Sequence, residues 1–412
     1  MDDAGDERLS APRRWVTVFN GARDGYQAPL ALAEAGVLEA LVTDWYSPLD
    51  RPAVARAVGL APARVGGELA RRYCAGLPSR LVRSMPWQAV RQRVWRDTLA
   101  DVDARLGRRA GALARARGAG LLAYSFYGHA AFAAAGEGGG PRVLFQVQAH
   151  PAAVRRVLLE ERDATPSAEG RAAFDAEPDL LGTSPRYAEL AAEPLMADRC
   201  VAPSTYVRTT LVEAGVPPDR VAVVPYGVDL DTFRPASPSA ERRPFRVVYA
   251  GQLLRRKGVH YLLAAWERLA LPDAELLLVA RGPSDPTLLR GYGGAYRLVR
   301  DVHARAAMAR LYAASDVCCL PSLSDSFGHV LLEALACGTP VVATPNTAAP
   351  DLVAEGENGF IVPVRDADAL AAALGWCYAH RGELARMRAR ARRRAEAFSW
   401  GAFRRALVAS LG

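Results

Sequence analysis

No stretch of about 18 uninterrupted apolar residues occurs anywhere in the 412-residue sequence, so no membrane-spanning helix is expected. The opening, Met1-Asp-Asp-Ala-Gly-Asp-Glu7, is acidic and lacks the apolar core of a signal peptide, which argues against standard export. Six cysteines, Cys74, Cys200, Cys318, Cys319, Cys337 and Cys377, form no Cys-x-x-Cys pair and sit mostly in apolar runs, where a thiol behaves as a small hydrophobe. They read as reduced, in a cytoplasmic protein. Clusters with metal-ligand spacing are missing, as is a convincing nucleophile and base pair, so neither a metal centre nor a covalent mechanism is expected. Internal repeats of about 20 to 50 residues are also missing, which excludes a solenoid. The many arginines come without a recognisable nucleic-acid recognition fold, so nucleic acid is not an expected partner.

What is present is a globular composition: half the residues are hydrophobic and 23% are charged. The length suits two hydrophobic cores better than one. A formal net charge of +8 favours anionic partners such as a nucleotide diphosphate or an acidic membrane surface.

Short apolar runs alternate with helical patterns through the first half: Trp15–Phe19, Leu41–Thr43, Leu121–Tyr124 and Arg142–Val147 read as buried strands. Such alternation implies a parallel sheet covered on both faces. Prolines and a glycine break the pattern between Val224 and Pro235, where a hinge is expected, and a Pro/Ser-rich stretch follows to about Pro244. The pattern then restarts, with Phe245–Ala250, Glu275–Ala280, Val317–Leu320 and Pro340–Ala343 as strands. The fold class expected is α/β, two Rossmann-like doubly wound parallel-sheet domains. Residues 1–203 would form the first domain and 204–390 the second. Residues 391–412 would end in an amphipathic helix returning toward the first.

The densest chemical signal runs from Pro321 to Val342: a strand end, a polar loop, a short helix stopped by Gly338, and another strand. Ligands of parallel α/β sheets sit at such strand ends, and the amides around Phe327 to His329 open a helix whose N-terminus favours an anion. Asp325 and Glu333, eight residues apart, bracket that helix start. Each is placed to accept hydrogen bonds from a ligand diol. Equally, Asp325 or Ser326 can cap the helix while Glu333 lies on a solvated face.

This segment resembles the E-x7-E signature of the family-4 retaining glycosyltransferases, and Glu333-Ala-Leu-Ala-Cys-Gly-Thr-Pro-Val-Val342 is similar to that family almost letter for letter. Ala197–Ser204 with Val224–Phe233, Gly251–Gly258 and Gly356–Pro363 resemble three further family motifs in the same order. The resemblance implies the GT-B architecture. It also implies retaining transfer from a nucleoside-diphosphate sugar to an acceptor hydroxyl, with no metal or other cofactor, through a front-face displacement. UDP-sugars come first on family frequency and GDP-mannose second. Competing readings are a GT-B epimerase or hydrolase of nucleotide sugars, and an inactive donor-binding partner subunit. The acceptor class stays open among a glycan, a lipid-linked glycan and a small-molecule natural product.

By the same resemblance Glu333 would accept from the ribose diol, and Asp325 with Ser326, Phe327, Gly328 and His329 would hold the donor sugar. Lys257 would pair with the diphosphate, which agrees with its place just before a helix start. Two departures stand out. Asp325 replaces the usual Glu, and Gln252 stands where an Arg is frequent, with Arg256 favoured over Arg255 as the substitute charge. In the first half, the loop with Gly21, Arg23 and Asp24 follows a strand and forms an acceptor-side cleft wall by position. His150 is preferred over His129 as the histidine facing the transferred sugar. The arginine-rich stretch from Pro78 to Gly118, with Trp87 and Trp95, reads either as a basic helix lying on the inner face of an anionic membrane or as a core helix with a solvated arginine face, the second being favoured.

Overall fold

The structure is a computed structural model and describes residues 13–87, 98–236, 243–285, 287–290, 292–300, 302 and 304–412. Thirteen strands are found among the described residues: β1 Trp15–Val18, β2 Leu38–Thr43, β3 Val82–Ser84, β4 Gly120–Tyr124, β5 Arg142–Phe145, β6 Arg199–Ala202, β7 Val221–Val223, β8 Phe245–Leu253, β9 Ala274–Ser284, β10 Arg297–Val299, β11 Val317–Leu320, β12 Val341–Ala343 and β13 Gly359–Ile361. They build a seven-stranded sheet in the order β3-β2-β1-β4-β5-β6-β7 and a six-stranded sheet in the order β10-β9-β8-β11-β12-β13. Both are parallel, so the inner strands are buried on both faces and read as continuous apolar runs, as in Gly120-Leu-Leu-Ala-Tyr124 and Val317-Cys-Cys-Leu320. β3, β6, β7, β10 and β13 were not expected. Each has only three or four residues, and β3, β6 and β10 include an arginine that breaks the apolar run.

By contacts the chain divides into two compact units: residues 1–145 with 195–199 and 407–412, and residues 146–194 with 200–406. In the first unit, the helix Leu99–Arg117 carries the favoured reading of the arginine-rich stretch. Val102, Leu106, Ala110 and Ala114 face the core, while Arg108, Arg109, Arg115 and Arg117 lie half or fully in solvent. Thr98 and Asp101 cap it reciprocally. Trp87 is exposed, and Trp95 lies outside the described residues. No described helix is long and apolar enough to cross a membrane.

In the second unit, β8 leads outward to β9 and β10 on one side while β11 returns on the other. The connections therefore change direction between β8 and β11, the place where an open parallel sheet leaves a crevice at its carboxyl edge. Tyr249, Val317, Cys318 and Cys319 are fully buried beneath that edge. The tail helix spans Trp400–Leu411, with Phe403 and Leu407 buried.

Close helix packing in the first unit depends on Gly111. A Cβ there would stand 2.0 Å from the Ala131 carbonyl oxygen of the helix Gly128–Ala135, a backbone atom that cannot step aside. Gly111→Ala is expected to destabilise by about 1–3 kcal/mol, because overpacking outweighs the better helix propensity of alanine. Chemical denaturation checks this, and an unchanged or raised stability would refute the close approach.

Candidate donor site

β8 ends in a basic turn, Arg255–Lys257, closed by Gly258 in the left-handed region at φ 67°. The turn is pressed against the end of β11: a Cβ on Gly258 would lie 1.9 Å from the Pro321 carbonyl oxygen, and Leu323 donates its amide to the Arg256 carbonyl at 2.9 Å. This contact brings Lys257 beside the loop that follows β11. Its Nζ donates to Asp325 Oδ2 at 2.6 Å, in a pair whose side chains are only 12% and 17% exposed.

Burial alone would raise the Asp325 carboxyl, but Lys257, Arg256 and His329 outweigh it and hold Asp325 below the usual carboxylate range. Burial pushes the Lys257 ammonium down, against the pull of Asp325. Asp325 therefore adds stability above the ordinary carboxylate range, which is lost as pH falls through its lowered value. The loop itself is braced by Asp325 N–H to the Asn346 carbonyl and by Ser204 Oγ to the Ser326 carbonyl, at 2.9 and 2.6 Å.

A cavity of about 240 Å³ opens at this strand edge. Tyr249 to Gln252 line it from β8, Arg281 from β9 and Leu320 from β11, with Lys257, Asp325, Ser326, Gly328, His329 and Val330 completing the wall. The helix His329–Ala336 starts here, with Gly328 left-handed at φ 71°; the Leu331 amide already donates to the Gly328 carbonyl at 2.8 Å, while the His329 and Val330 amides have no intrahelical acceptor. Phe327 turns the other way. It is fully buried, edge-on to Tyr226 at 5.3 Å, which leaves only its backbone for a ligand. His329 packs on the same Tyr226 ring at 4.6 Å.

Glu333 lies one turn further along the helix and accepts from the fully buried Tyr312 hydroxyl at 3.1 Å. Burial raises its carboxyl above the usual range despite His329, Arg281, Tyr312 and Arg305.

The neighbouring arginines are placed differently from the expectation. Arg256 does not line the cavity: its Nε meets Glu177 at 2.9 Å and its Nη1 the Ser324 carbonyl at 3.0 Å. Arg255 is held by Asp285 at 3.2 Å. Arg281, absent from the expected set, supplies an exposed guanidinium at the cavity instead. It was missed because it lies at the end of β9, outside the motifs quoted from the sequence.

His150 likewise departs from the role envisaged for it. It caps the helix Pro151–Ala164, accepting from Ala152 N–H on Nδ1 at 3.2 Å while Nε2 donates to the Ala191 carbonyl at 3.2 Å. It is 5% exposed and burial pushes its imidazole down, so a neutral ring with both nitrogens engaged serves the backbone. Further along the same helix, buried Glu161 accepts from His260 Nε2 at 2.7 Å, Tyr261 hydroxyl at 3.1 Å and Arg365 Nε at 3.0 Å. Burial would raise the Glu161 carboxyl, but these three donors hold it below the usual range. The anchor ties the helix to the segment that carries the basic turn.

In the first unit, Gly21, Arg23 and Asp24 form a tight loop after β1. Gly21 donates its amide to Asp44 Oδ1 at 2.9 Å, and Arg72 grips both oxygens of Asp44 at 3.0 and 3.1 Å. Asp24, Gly25 and Tyr26 are successively left-handed at φ 50°, 60° and 64°, a conformation costing about 1–2 kcal/mol per non-glycine residue. Arg23 lies over the Tyr124 and Phe126 rings at 5.9 and 5.8 Å. His129 is half-buried near the start of the helix Gly128–Ala135.

Two Rossmann-like parallel sheets, one with a ligand-sized cavity where its strand order reverses, define the GT-B class of protein. Solved structures with this fold include sucrose-phosphate synthase from Thermosynechococcus elongatus, with TM-score 0.64 and 21% identity over 95% of this chain and 96% of that one. Anabaena Alr3699/HepE, solved in complex with UDP and glucose, has TM-score 0.61 and 18% identity over 97% and 99%. Residues 102–232 match the family described as Glycosyltransferase Family 4, and residues 244–380 match Glycosyl transferases group 1. The chain belongs to the family-4 glycosyltransferases.

Among curated relatives, a D-inositol 3-phosphate glycosyltransferase of Mycobacteroides abscessus is 34% identical over 212 residues, covering 47% of each chain. An MMP alpha-(1->4)-mannosyltransferase of Mycolicibacterium hassiacum is 37% identical over 202 residues, covering 46% of this chain and 47% of that one. The chain spans about half the length of the curated relatives it matches.

An ionised carboxylate that the fold desolvates costs stability, and the cost is relieved as pH falls through its raised pKa. Glu333→Gln is thus expected to raise the melting temperature of the nucleotide-free protein at pH 7. The gain should shrink in acid, where the parent carboxyl is itself neutral. A lower melting temperature at pH 7 for the variant would overturn the desolvation of the Glu333 carboxylate.

Proposed function

We propose that the chain transfers a sugar from a nucleoside-diphosphate sugar to an acceptor hydroxyl with retention at the anomeric carbon, UDP-sugars being the first candidate donors and GDP-mannose the second. The observation that carries this reading is the Lys257–Asp325 pair, set in the cavity beside an open helix N-terminus. A donor diphosphate is the stronger partner for Lys257, and its arrival frees Asp325 to accept from hydroxyls of the transferred sugar. Glu333 accepts from the ribose diol, with Tyr312 bracing its carboxylate.

In the front-face displacement the bond from the anomeric carbon to the phosphate oxygen breaks on the side where the acceptor oxygen bonds. The departing phosphate takes the acceptor's proton. The protein supplies positioning and charge stabilisation, with Lys257 balancing the charge that develops on the leaving diphosphate. Support comes from the complexes of the structural neighbour Alr3699/HepE with UDP and glucose. It comes also from the glycosyl acceptors named for the inositol-phosphate relatives. The matching setting is cytoplasmic, with the solvated arginine face of the helix Leu99–Arg117 and exposed Trp87 as the surface that could meet an acidic membrane.

Thermal shifts with UDP, GDP, ADP and dTDP test the donor class, since a ligand at about 100 times its dissociation constant stabilises by roughly 2.7 kcal/mol. Glu333→Ala removes charge-assisted hydrogen bonds and is expected to weaken nucleotide binding roughly 10- to 150-fold. Because the ribose is remote from the reacting carbon, KM for the donor should rise more than kcat falls. A folded Glu333→Ala protein that binds nucleotide as tightly as the parent defeats the assignment. With Lys257 in the place of a metal ion, turnover is expected to survive EDTA, and a loss that Mg²⁺ or Mn²⁺ restores would sink that expectation.

A further inference from the structure

The cavity is short of positive charge for the ligand just assigned to it. The diphosphate of a nucleotide sugar carries about two negative charges near neutral pH, and the departing nucleoside diphosphate about two to three, since its terminal phosphate carries roughly −1.5 to −2. Yet the three cations of the basic turn are already matched by carboxylates: Arg255 by Asp285, Arg256 by Glu177 and Lys257 by Asp325. Gln252, whose side chain reaches the cavity from β8, is neutral. Among the described cavity-lining residues, Arg281 is the one cation that makes no hydrogen bond or close ion pair.

The backbone explains how Arg281 comes to stand there. β8 and β9 run in register to the pair Gly251 and Ala280, then resume at Leu253 and Ser284. One residue of β8, Gln252, therefore faces three of β9, residues 281–283, in a bulge with Gly282 left-handed at φ 76°. Bulges re-aim side chains at sheet edges. A Cβ on Gly282 would lie 3.6 Å from Gln252 Nε2, so the Gln252 amide lies across the bulge residue that follows Arg281. Adjacent strands are about 4.8 Å apart, well within the length of an arginine side chain, so a guanidinium at 281 serves the space a cation at 252 would serve. Arg281 also acts electrostatically on the Glu333 carboxyl, lowering it against the effect of burial.

We propose that Arg281 is the second diphosphate-binding residue of this chain, donating to the phosphate oxygens opposite Lys257, so that the fixed charge missing from β8 is supplied from β9. The inference rests on the donor reading above. It adds a residue and assigns it to the phosphates rather than to the base, ribose or sugar. An arginine suits the task, because its planar fork donates two parallel hydrogen bonds to a phosphate and stays charged at any working pH.

Isothermal titration calorimetry with UDP and with uridine, on the parent, Arg281→Gln, and the double variant Gln252→Arg/Arg281→Gln, separates the possibilities. Arg281→Gln is expected to lose roughly 10- to 100-fold in UDP affinity, as for one charge-assisted bidentate contact, and to keep the parent's affinity for uridine. The double variant, with the cation returned to β8, is expected to recover most of the loss. UDP affinity unchanged in Arg281→Gln overturns the inference. A parallel loss of UDP and uridine overturns it too, since Arg281 would then act through Glu333 on the ribose. A parent that responds to none of UDP, GDP, ADP and dTDP overturns the donor reading itself. A parent that responds only to another of these nucleotides moves the same comparison to that nucleotide and its nucleoside.

Discussion

The buried ion pair between Lys257 and Asp325 is the constraint on which the candidate site depends. It joins the turn after β8 to the loop after β11, across the point where the strand order reverses. Removing one partner of such a pair leaves an uncompensated charge and typically costs about 3–5 kcal/mol, so the two loops hold each other in place. The pair is also chemically poised. In the proposed reaction the ammonium that neutralises Asp325 would partner the incoming diphosphate, and the carboxylate would then be released to accept hydroxyls. Structure and proposed chemistry draw on one contact.

Around that contact, charge is distributed by compensation. Glu177 and Asp285 each take one arginine of the basic turn, and Glu169 pairs with Arg290 nearby at 2.6 Å. Glu161 gathers His260, Tyr261 and Arg365 on the helix that His150 caps. These carboxylates all come from residues 146–194 or from the strand ends, so the turn is surrounded by acid that fixes its geometry while leaving Lys257 and Arg281 at the cavity. Glu333 is the exception. It is desolvated without a close cationic partner among the described residues, an arrangement costly to folding and suited to a carboxylate that waits for hydroxyl donors.

Much of the architecture was legible in the sequence, because hydrophobic periodicity is a local property. The runs Trp15–Val18, Gly120–Tyr124, Val317–Leu320 and Val341–Ala343 are strands in the structure nearly as read, and the tail from Trp400 is a helix. The motif around Glu333 likewise pointed to a strand edge with a helix start, since the order strand, polar loop, glycine and apolar helix lies within about twenty consecutive residues. β3 and β13 escaped, because their pairing is set by neighbours in space and not by a run of apolar residues of their own, such as the equally short Val341–Ala343 has.

The identity of the site's charges was a different matter. Sequence order alone determined that Lys257, Gln252, Asp325 and Glu333 would gather at the carboxyl edge of one parallel sheet, for right-handed crossovers return every strand to that edge. Only the tertiary structure decided which charge meets which. Lys257 finds Asp325 from 68 residues away and Arg256 finds Glu177 from 79, while His150 is spent on a helix cap and Arg281 is turned to the cavity by a bulge. Ion-pair partners lie within about 3 Å, so their choice depends on strand register and loop path to a precision that local patterning does not carry.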